Sequence, residues 1–178
     1  AWSGRHANVL MASRFAKQKD PITLIQAMRI LHQQSFQTRL SLAGVGKPHL
    51  IQQSQKVAAQ SGLSSQIDFL GHVANMPALL AQHQIFVLST HYEGMPLALI
   101  EAMASGCACI GTDVIGVREV IQHGVTGLLV PENNAPALAE AIASGRCDVG
   151  LGIESTARAR GLGFVPLVQE QFHLVCLK

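Results

Sequence analysis

The alternation of short aliphatic runs with longer segments of helical period constrains the fold of this chain more than any other feature. Six runs are short, largely aliphatic and followed by glycine, serine or a polar turn. They span residues 8–12, 40–43, 67–70, 85–89, 108–111 and 127–130. Such runs are typical of strands that are buried on both faces. Their alternation with helical segments predicts an α/β domain with a doubly wound, Rossmann-like parallel sheet.

The segments between these runs carry the signals that begin helices. Asp20 precedes Pro21, and this pair predicts a helix start because the carboxylate accepts from backbone amides and proline suits the first helical position. The other predicted helices begin after Lys47 and after Asn75, or span residues 96–105, 117–122 and 135–144. In such sheets ligands bind at the carboxyl ends of the strands, near the switch in strand order. Polar residues that follow strands are therefore the candidates for a functional site.

The composition fits one well-packed domain and argues against several functions. The chain has 178 residues, of which 48% are hydrophobic and 13% charged, and this suits a domain with a large core. A net charge of +2 gives no indication of a nucleic-acid platform or a polybasic membrane patch. The four cysteines lack C-x-x-C and zinc-ligand spacing, so we expect Cys107 and Cys109 to be small core residues in a reducing compartment.

Two glutamates flank the start of the predicted helix that follows the fourth run. Glu93 lies in the loop after residues 85–89, where Gly94 lets a ligand approach the backbone and the first helical amides can donate. Glu101 lies about two turns further, and its carboxylate can accept from two neighbouring hydroxyls of a ribose or a sugar. The alternative is that Glu93 caps the helix and Glu101 is a solvated surface charge. The uncharged stretch 102–106 favours a functional role, since a charge in so apolar a helix needs a partner or a ligand.

A basic loop follows the first aliphatic run. Arg14 comes directly after that run, and Lys19 precedes the helix predicted to begin at Pro21. A guanidinium and an ammonium near a helix N-terminus suit a diphosphate, because arginine forks onto two oxygens and lysine adds a point charge. The alternative is a surface basic loop in which Lys17 or Lys19 is solvated.

A third candidate is the glycine pair Gly44 and Gly46, which ends the second aliphatic run. The complete dinucleotide-binding fingerprint needs a third glycine at the position that His49 occupies. The pair therefore indicates a tight turn at the wall of a cleft. His72, His91 and His123 also fall in loops, where the sequence does not separate a ligand-contacting histidine from a solvated one.

These motifs together resemble the C-terminal domain of GT-B glycosyltransferases, in particular the retaining family 4, over residues 8–143. The matching segments are residues 13–19, 43–46, 69–73, 93–106, 116–120 and 124–131. The two glutamates with seven intervening residues are the most specific motif among them.

The resemblance implies a role for each candidate residue. Arg14 and Lys19 would hold the donor diphosphate and stabilise the charge that develops on the leaving group. Glu93 would bind the transferred sugar, and Glu101 would hold the ribose hydroxyls. The other donor contacts would come from Gly44 and Gly46 and, through backbone amides, from Gly94, Met95, Pro96 and Leu97. The expected ligand is a UDP- or GDP-sugar, with no metal and no other cofactor.

The resemblance also implies a larger enzyme. GT-B enzymes bind the acceptor with an N-terminal domain that we expect this chain to lack, so it should bind donor weakly and transfer nothing alone. The full-length enzyme is expected in the cytoplasm, at the inner face of the membrane, acting on a glycan or lipid acceptor in polysaccharide biosynthesis. The alternatives are a non-catalytic nucleotide- or sugar-binding module, including a truncated or fused remnant, and a related activity such as an epimerase or phosphorylase.

The last residues depart from the family pattern, so we expect a donor-binding domain over residues 1–143 and an atypical tail over residues 144–178. The tail predicts a strand, a helix over residues 154–160 and an apolar strand region over residues 164–177. This stretch resembles a piece of a periplasmic-binding-type substrate domain. A fusion, a frameshifted reading, a chimera and a divergent tail that packs on the sheet all fit this pattern.

Overall fold

The computed structural model describes residues 6–144 of the chain, in which six strands alternate with six helices. The strands are β1 (His6–Ala12), β2 (Gln37–Ala43), β3 (Ile67–Gly71), β4 (Ile85–Leu88), β5 (Ala108–Thr112) and β6 (Leu128–Val130). The helices are α1 (Pro21–Gln33), α2 (Pro48–Gln60), α3 (Met76–Ala81), α4 (Leu97–Ala104), α5 (Ile115–Arg118) and α6 (Ala135–Ser144). Each predicted aliphatic run forms a strand, so the predicted strand–helix repeat is confirmed.

The six strands form one parallel sheet with the order β3-β2-β1-β4-β5-β6. The chain winds outward from β1 to β3 and then crosses back, so that β4 pairs with the other edge of β1 and Val9 lies opposite Ile85. This is the strand order of a doubly wound, Rossmann-like sheet. The order switches between β1 and β4, and such sheets bind ligands at the carboxyl ends of the strands beside the switch.

A hydrophobic core covers each face of the sheet, so the inner strands β4 and β5 are aliphatic and buried on both faces. The prediction of burial on both faces is wrong for the edge strand β3, which exposes Asp68 and Leu70. Val9 and Met11 of β1 pack in the core that includes α1 and α6, whereas Leu10 packs in the core that includes α3 and α4. Cys107 and Cys109 are both buried in this second core, as predicted from the sequence.

The first and third helices begin at the capping residues that the sequence indicates. The Thr23 amide donates to Oδ1 of Asp20 over 3.0 Å, and the Ala78 amide donates to Oδ1 of Asn75 over 3.1 Å. Each carboxylate or amide oxygen satisfies a backbone donor that has no partner within its own helix.

The prediction of the fifth helix over residues 117–122 is wrong, because α5 begins at Ile115 and ends at Arg118. Beyond Arg118 the helical pattern breaks, because the Val120 amide donates to the Val117 carbonyl three residues back over 3.1 Å. The Gln122 amide, at the end of the predicted helix, donates to Oγ1 of Thr126 over 2.9 Å and not to a helical carbonyl.

The tail predictions after residue 144 lie outside the described residues. Within residues 6–144, the helices are too short or too polar for any of them to cross a membrane.

Candidate functional site

A cleft of about 310 Å³ opens at the carboxyl end of the sheet, on the side of α3 and α4. Residues at the ends of β1, β2 and β3, one residue of β4, and side chains of α3 and α4 line it. Arg14, His72 and Glu101 contribute the titratable groups, and Met76 and Leu80 are part of an apolar wall. The cleft therefore combines charge with an apolar surface at the switch in strand order.

Arg14 and Glu101 share this cleft although they belong to different parts of the chain. Arg14 follows β1, Glu101 lies on α4, and both side chains are exposed. Neither forms an ion pair or a side-chain hydrogen bond with another residue of the segment 6–144. One cation and one carboxylate are therefore available to a ligand in the same cavity.

Lys19 and Glu93 form an ion pair at the same edge of the sheet. Lys19 belongs to the β1 loop, which we define as residues 13–20, and Glu93 belongs to the β4 loop, residues 89–96. The side chains of the pair are 12% and 16% exposed, and neither residue is part of the cleft wall. The four charged candidates thus comprise two unpaired cleft residues and one internal pair.

Backbone hydrogen bonds hold the β1 loop against the β4 loop. The Asp20 amide donates to the Ser89 carbonyl over 3.0 Å, and the His91 amide donates to the Gln18 carbonyl over 2.8 Å. These bonds form an antiparallel bridge between Lys19 and Thr90. The position of the ion pair is therefore fixed by the backbone of both loops.

Thr90 is a site residue that the sequence interpretation missed. Its buried hydroxyl lies 2.8 Å from the Gln18 carbonyl and 2.9 Å from the Tyr92 carbonyl. The Thr112 hydroxyl donates to the Thr90 carbonyl over 2.5 Å and lies 3.1 Å from the Thr90 amide. Thr90 therefore connects both loops to the end of β5, a role that a threonine at a strand end does not reveal in sequence.

His91 connects the β4 loop to two acidic residues from other loops. Its Nδ1 lies 3.0 Å from Oε2 of Glu132, and its Nε2 lies 3.7 Å from Oδ2 of Asp20. Asp20 also caps α1 with its other carboxylate oxygen. The structure therefore places His91 among side chains that position the loops, and it places His72 in the wall of the cleft.

The fold itself requires glycine at positions 44 and 46. Gly44 has a φ of 135°, and a Cβ at this position would lie 1.9 Å from the Ser13 carbonyl oxygen. A Cβ on Gly46 would lie 2.2 Å from the Phe15 carbonyl oxygen. Both glycines let the end of β2 approach the β1 loop, and Gly44 also lines the cleft, whereas Gly46 does not. Their contact with a donor stays a prediction.

Packing requires glycine at position 116 but not at position 94. A Cβ on Gly94 would meet no described atom within 4 Å, so packing does not require glycine there. A Cβ on Gly116 would lie 2.2 Å from the carbonyl oxygen of Glu93 and 2.6 Å from that of Gly94. Gly116 of α5 therefore supports the β4 loop beneath Glu93, which the sequence interpretation did not foresee.

Two of the four expected amide contacts at the start of α4 need correction. Pro96 has no N–H to donate, and the Leu97 amide already donates to the Met95 carbonyl over 3.0 Å. The amides of Gly94 and Met95 make no hydrogen bond with any residue of the described chain. They are therefore the two amides of this set that a ligand can use.

The described residues include no group of three or more histidine, cysteine, aspartate or glutamate side chains that could hold a metal ion. Independence from metal, expected from the resemblance, stays a prediction.

Comparison with known proteins identifies the family. The model of the family described as glycosyl transferases group 1 matches residues 6–145, which is most of the chain. The chain belongs to this glycosyltransferase family. The glycosyltransferase domain is similar to AmsK of Erwinia amylovora, an amylovoran biosynthesis glycosyltransferase, with 31% identity over 163 residues. The alignment covers 85% of this chain and 39% of AmsK, so the chain spans about two fifths of that relative.

Solved structures show the same fold. HepE of Anabaena, in complex with UDP and glucose, matches this glycosyltransferase domain with a TM-score of 0.74 and 24% identity, over 80% of this chain and 39% of HepE. The C-terminal domain of LpcC, a group 1 glycosyl transferase from Francisella tularensis, matches with a TM-score of 0.72 and 23% identity, over 88% of this chain and 86% of that domain. The predicted C-terminal half of a GT-B fold is therefore confirmed.

Proposed function

We propose that this domain binds the nucleoside-diphosphate sugar donor of a retaining glycosyltransferase that modifies a glycan or lipid acceptor. The observation that carries the proposal is the cleft at the strand-order switch, in which Arg14 and Glu101 lie without partners among the described residues. A volume of about 310 Å³ lies within the usual range of small-molecule sites.

The charges of the cleft suit the two polar parts of a nucleoside diphosphate. The Arg14 guanidinium can donate two parallel hydrogen bonds to phosphate oxygens, which makes arginine a strong diphosphate ligand. The Glu101 carboxylate can accept from both hydroxyls of a ribose. Val45 and Met76 in the cleft wall can cover a flat nucleobase.

The Lys19–Glu93 pair suits the reacting end of the donor. Breaking the bond between the sugar and the diphosphate leaves negative charge on the phosphate, and a lysine positioned there stabilises that charge as it develops. Glu93 would accept hydrogen bonds from the sugar hydroxyls, and the amides of Gly94 and Met95 would donate to donor oxygens. On this proposal Arg14, Lys19 and Glu93 are the catalytic residues.

The proposal extends to the full-length enzyme. The complex of HepE with UDP and glucose supports a UDP-sugar as the donor, and the similarity to AmsK supports polysaccharide synthesis as the process. A separate N-terminal domain would bind the acceptor, so the chain alone would bind donor without transferring the sugar. The complete enzyme would act in the cytoplasm at the inner face of the membrane.

Isothermal titration calorimetry of the 178-residue chain with UDP and with GDP tests the proposal. One of them should bind with a dissociation constant in the millimolar range or below, and Arg14→Ala should weaken that binding about tenfold, because a hydrogen-bonded charge pair is lost. Lys17→Ala is the matched control, since Lys17 is an exposed cation of the same loop outside the cleft wall; its effect should be below about twofold. Absence of binding to the folded chain, or equal effects of the two variants, would contradict the proposal.

A further inference from the structure

We infer that the Lys19–Glu93 ion pair makes the site favour the sugar-bearing donor over the bare nucleoside diphosphate. This inference rests on the proposed function and adds a consequence to it. Two residues proposed to bind different parts of the donor bind one another in the structure. A ligand must therefore offer a new partner to each of the two side chains before their ion pair can open.

The fold fixes the position of the ion pair. Its side chains are only 12% and 16% exposed, whereas the side chains of Arg14 and Glu101 are exposed and unpaired within residues 6–144. The backbone bridge between Lys19 and Thr90 holds the two loops together, and Gly116 supports the loop from below. The two side chains therefore meet because the loops place them together. Forming the ion pair then costs little side-chain conformational entropy.

The pairing affects the product and the donor differently. A nucleoside diphosphate offers phosphate oxygens to Lys19 but has no group that satisfies the Glu93 carboxylate, which therefore stays paired with the lysine. A donor sugar brings hydroxyls that donate to Glu93, so that the Lys19 ammonium can turn to the diphosphate. Once the sugar has been transferred, Glu93 returns to Lys19 and weakens the hold on the diphosphate. The pair thus promotes both donor selection and product release.

A double-mutant cycle with UDP as the probe tests this competition. Glu93→Gln keeps the shape of the side chain and frees the lysine, so UDP should bind about fivefold tighter, a change equivalent to the strength of one partly buried ion pair. UDP-glucose should not gain affinity, because the same substitution removes the acceptor for its sugar. In the Lys19→Met background, Glu93→Gln should change UDP affinity by less than about twofold.

Glu140→Gln is the control, because Glu140 is an exposed carboxylate on α6, outside the cleft wall and both loops; UDP affinity should stay within about twofold. Circular dichroism verifies that each variant is folded, and Glu93→Ala replaces Glu93→Gln if the latter is not. Equal tightening of UDP binding in both backgrounds would overturn the inference, because Glu93 would then only repel the phosphate. No tightening in either background would also overturn it. Both results would leave the proposed function intact. Failure of wild-type and variant chains to bind UDP or GDP would overturn both.

Discussion

Replacing Gly116 with alanine tests whether α5 holds the β4 loop in place. The new Cβ would lie 2.2 Å from the Glu93 carbonyl oxygen and 2.6 Å from that of Gly94, whereas carbon–oxygen contacts are ordinarily about 3.3 Å or longer. The β4 loop would have to withdraw by about 1 Å, because the obstructing atoms are backbone and cannot rotate away. Glu93 would move with that loop.

The expected change in the free energy of unfolding follows from two opposing effects. Overpacking of this kind costs about 1–3 kcal/mol, and alanine recovers up to about 1 kcal/mol through its higher helix propensity. The expected net loss of about 1–2 kcal/mol lowers the melting temperature by about 2–8 °C for a chain of this size. The affinity for UDP-glucose should fall about tenfold, since a shift of 1 Å is large for a hydrogen-bonded group.

Thermal melting followed by circular dichroism, together with calorimetric titration, measures both effects. Gly94→Ala is the contrasting variant, because a Cβ there would meet no described atom within 4 Å. Its melting temperature should stay within about 1 °C of the wild-type value, while its donor affinity falls if a ligand approaches that backbone. A Gly116→Ala chain that melts and binds like the wild type would refute the packing argument.

Three further substitutions test single interactions by thermal melting. Ser89→Ala should raise the melting temperature by about 2–4 °C, because the buried Ser89 hydroxyl has no hydrogen-bond partner among the described residues; a decrease would reveal a hidden partner. Asp20→Ala should lower it by about 2–4 °C through loss of the cap on Thr23, and an unchanged value would contradict the capping role. Arg118→Ala should have no measurable effect at neutral pH, because its ion pair with Asp113 is exposed. The Asp113 hydrogen bond raises the pKa of the Arg118 guanidinium, so this side chain keeps its charge until far above neutral pH, and a change in stability from its titration near neutrality would contradict this assignment.

The fold was predictable because its signals are local. Strands β4 and β5 are aliphatic runs that are buried on both faces, and Asp20 and Asn75 cap helices through bonds that span three residues. The bounds of the fifth helix were predicted wrongly, because this region makes contacts that lie outside the predicted segment. Gly116 packs against the Glu93 backbone, and the Gln122 amide donates to Thr126.

The sequence indicated which charged residues lie at this edge of the sheet but not how they pair. The strand order brings Arg14 and Glu101 to one cleft, and this follows from the rule that ligands bind beside the switch in order. The pairing of Lys19 with Glu93 depends on side chains that are 74 positions apart, and no local pattern encodes it. The same holds for Thr90, whose hydrogen bonds to the β1 loop become visible only when the loops are in place.

A structure of the chain bound to UDP tests the central claim most directly, because it locates the ligand atom by atom. The diphosphate should lie within hydrogen-bonding distance of the Arg14 guanidinium, with the ribose hydroxyls on the Glu101 carboxylate and the base against the apolar wall of the cleft. UDP bound elsewhere on the chain, or bound in the cleft with Arg14 and Glu101 turned away from it, would contradict the assignment of this cleft as the donor site.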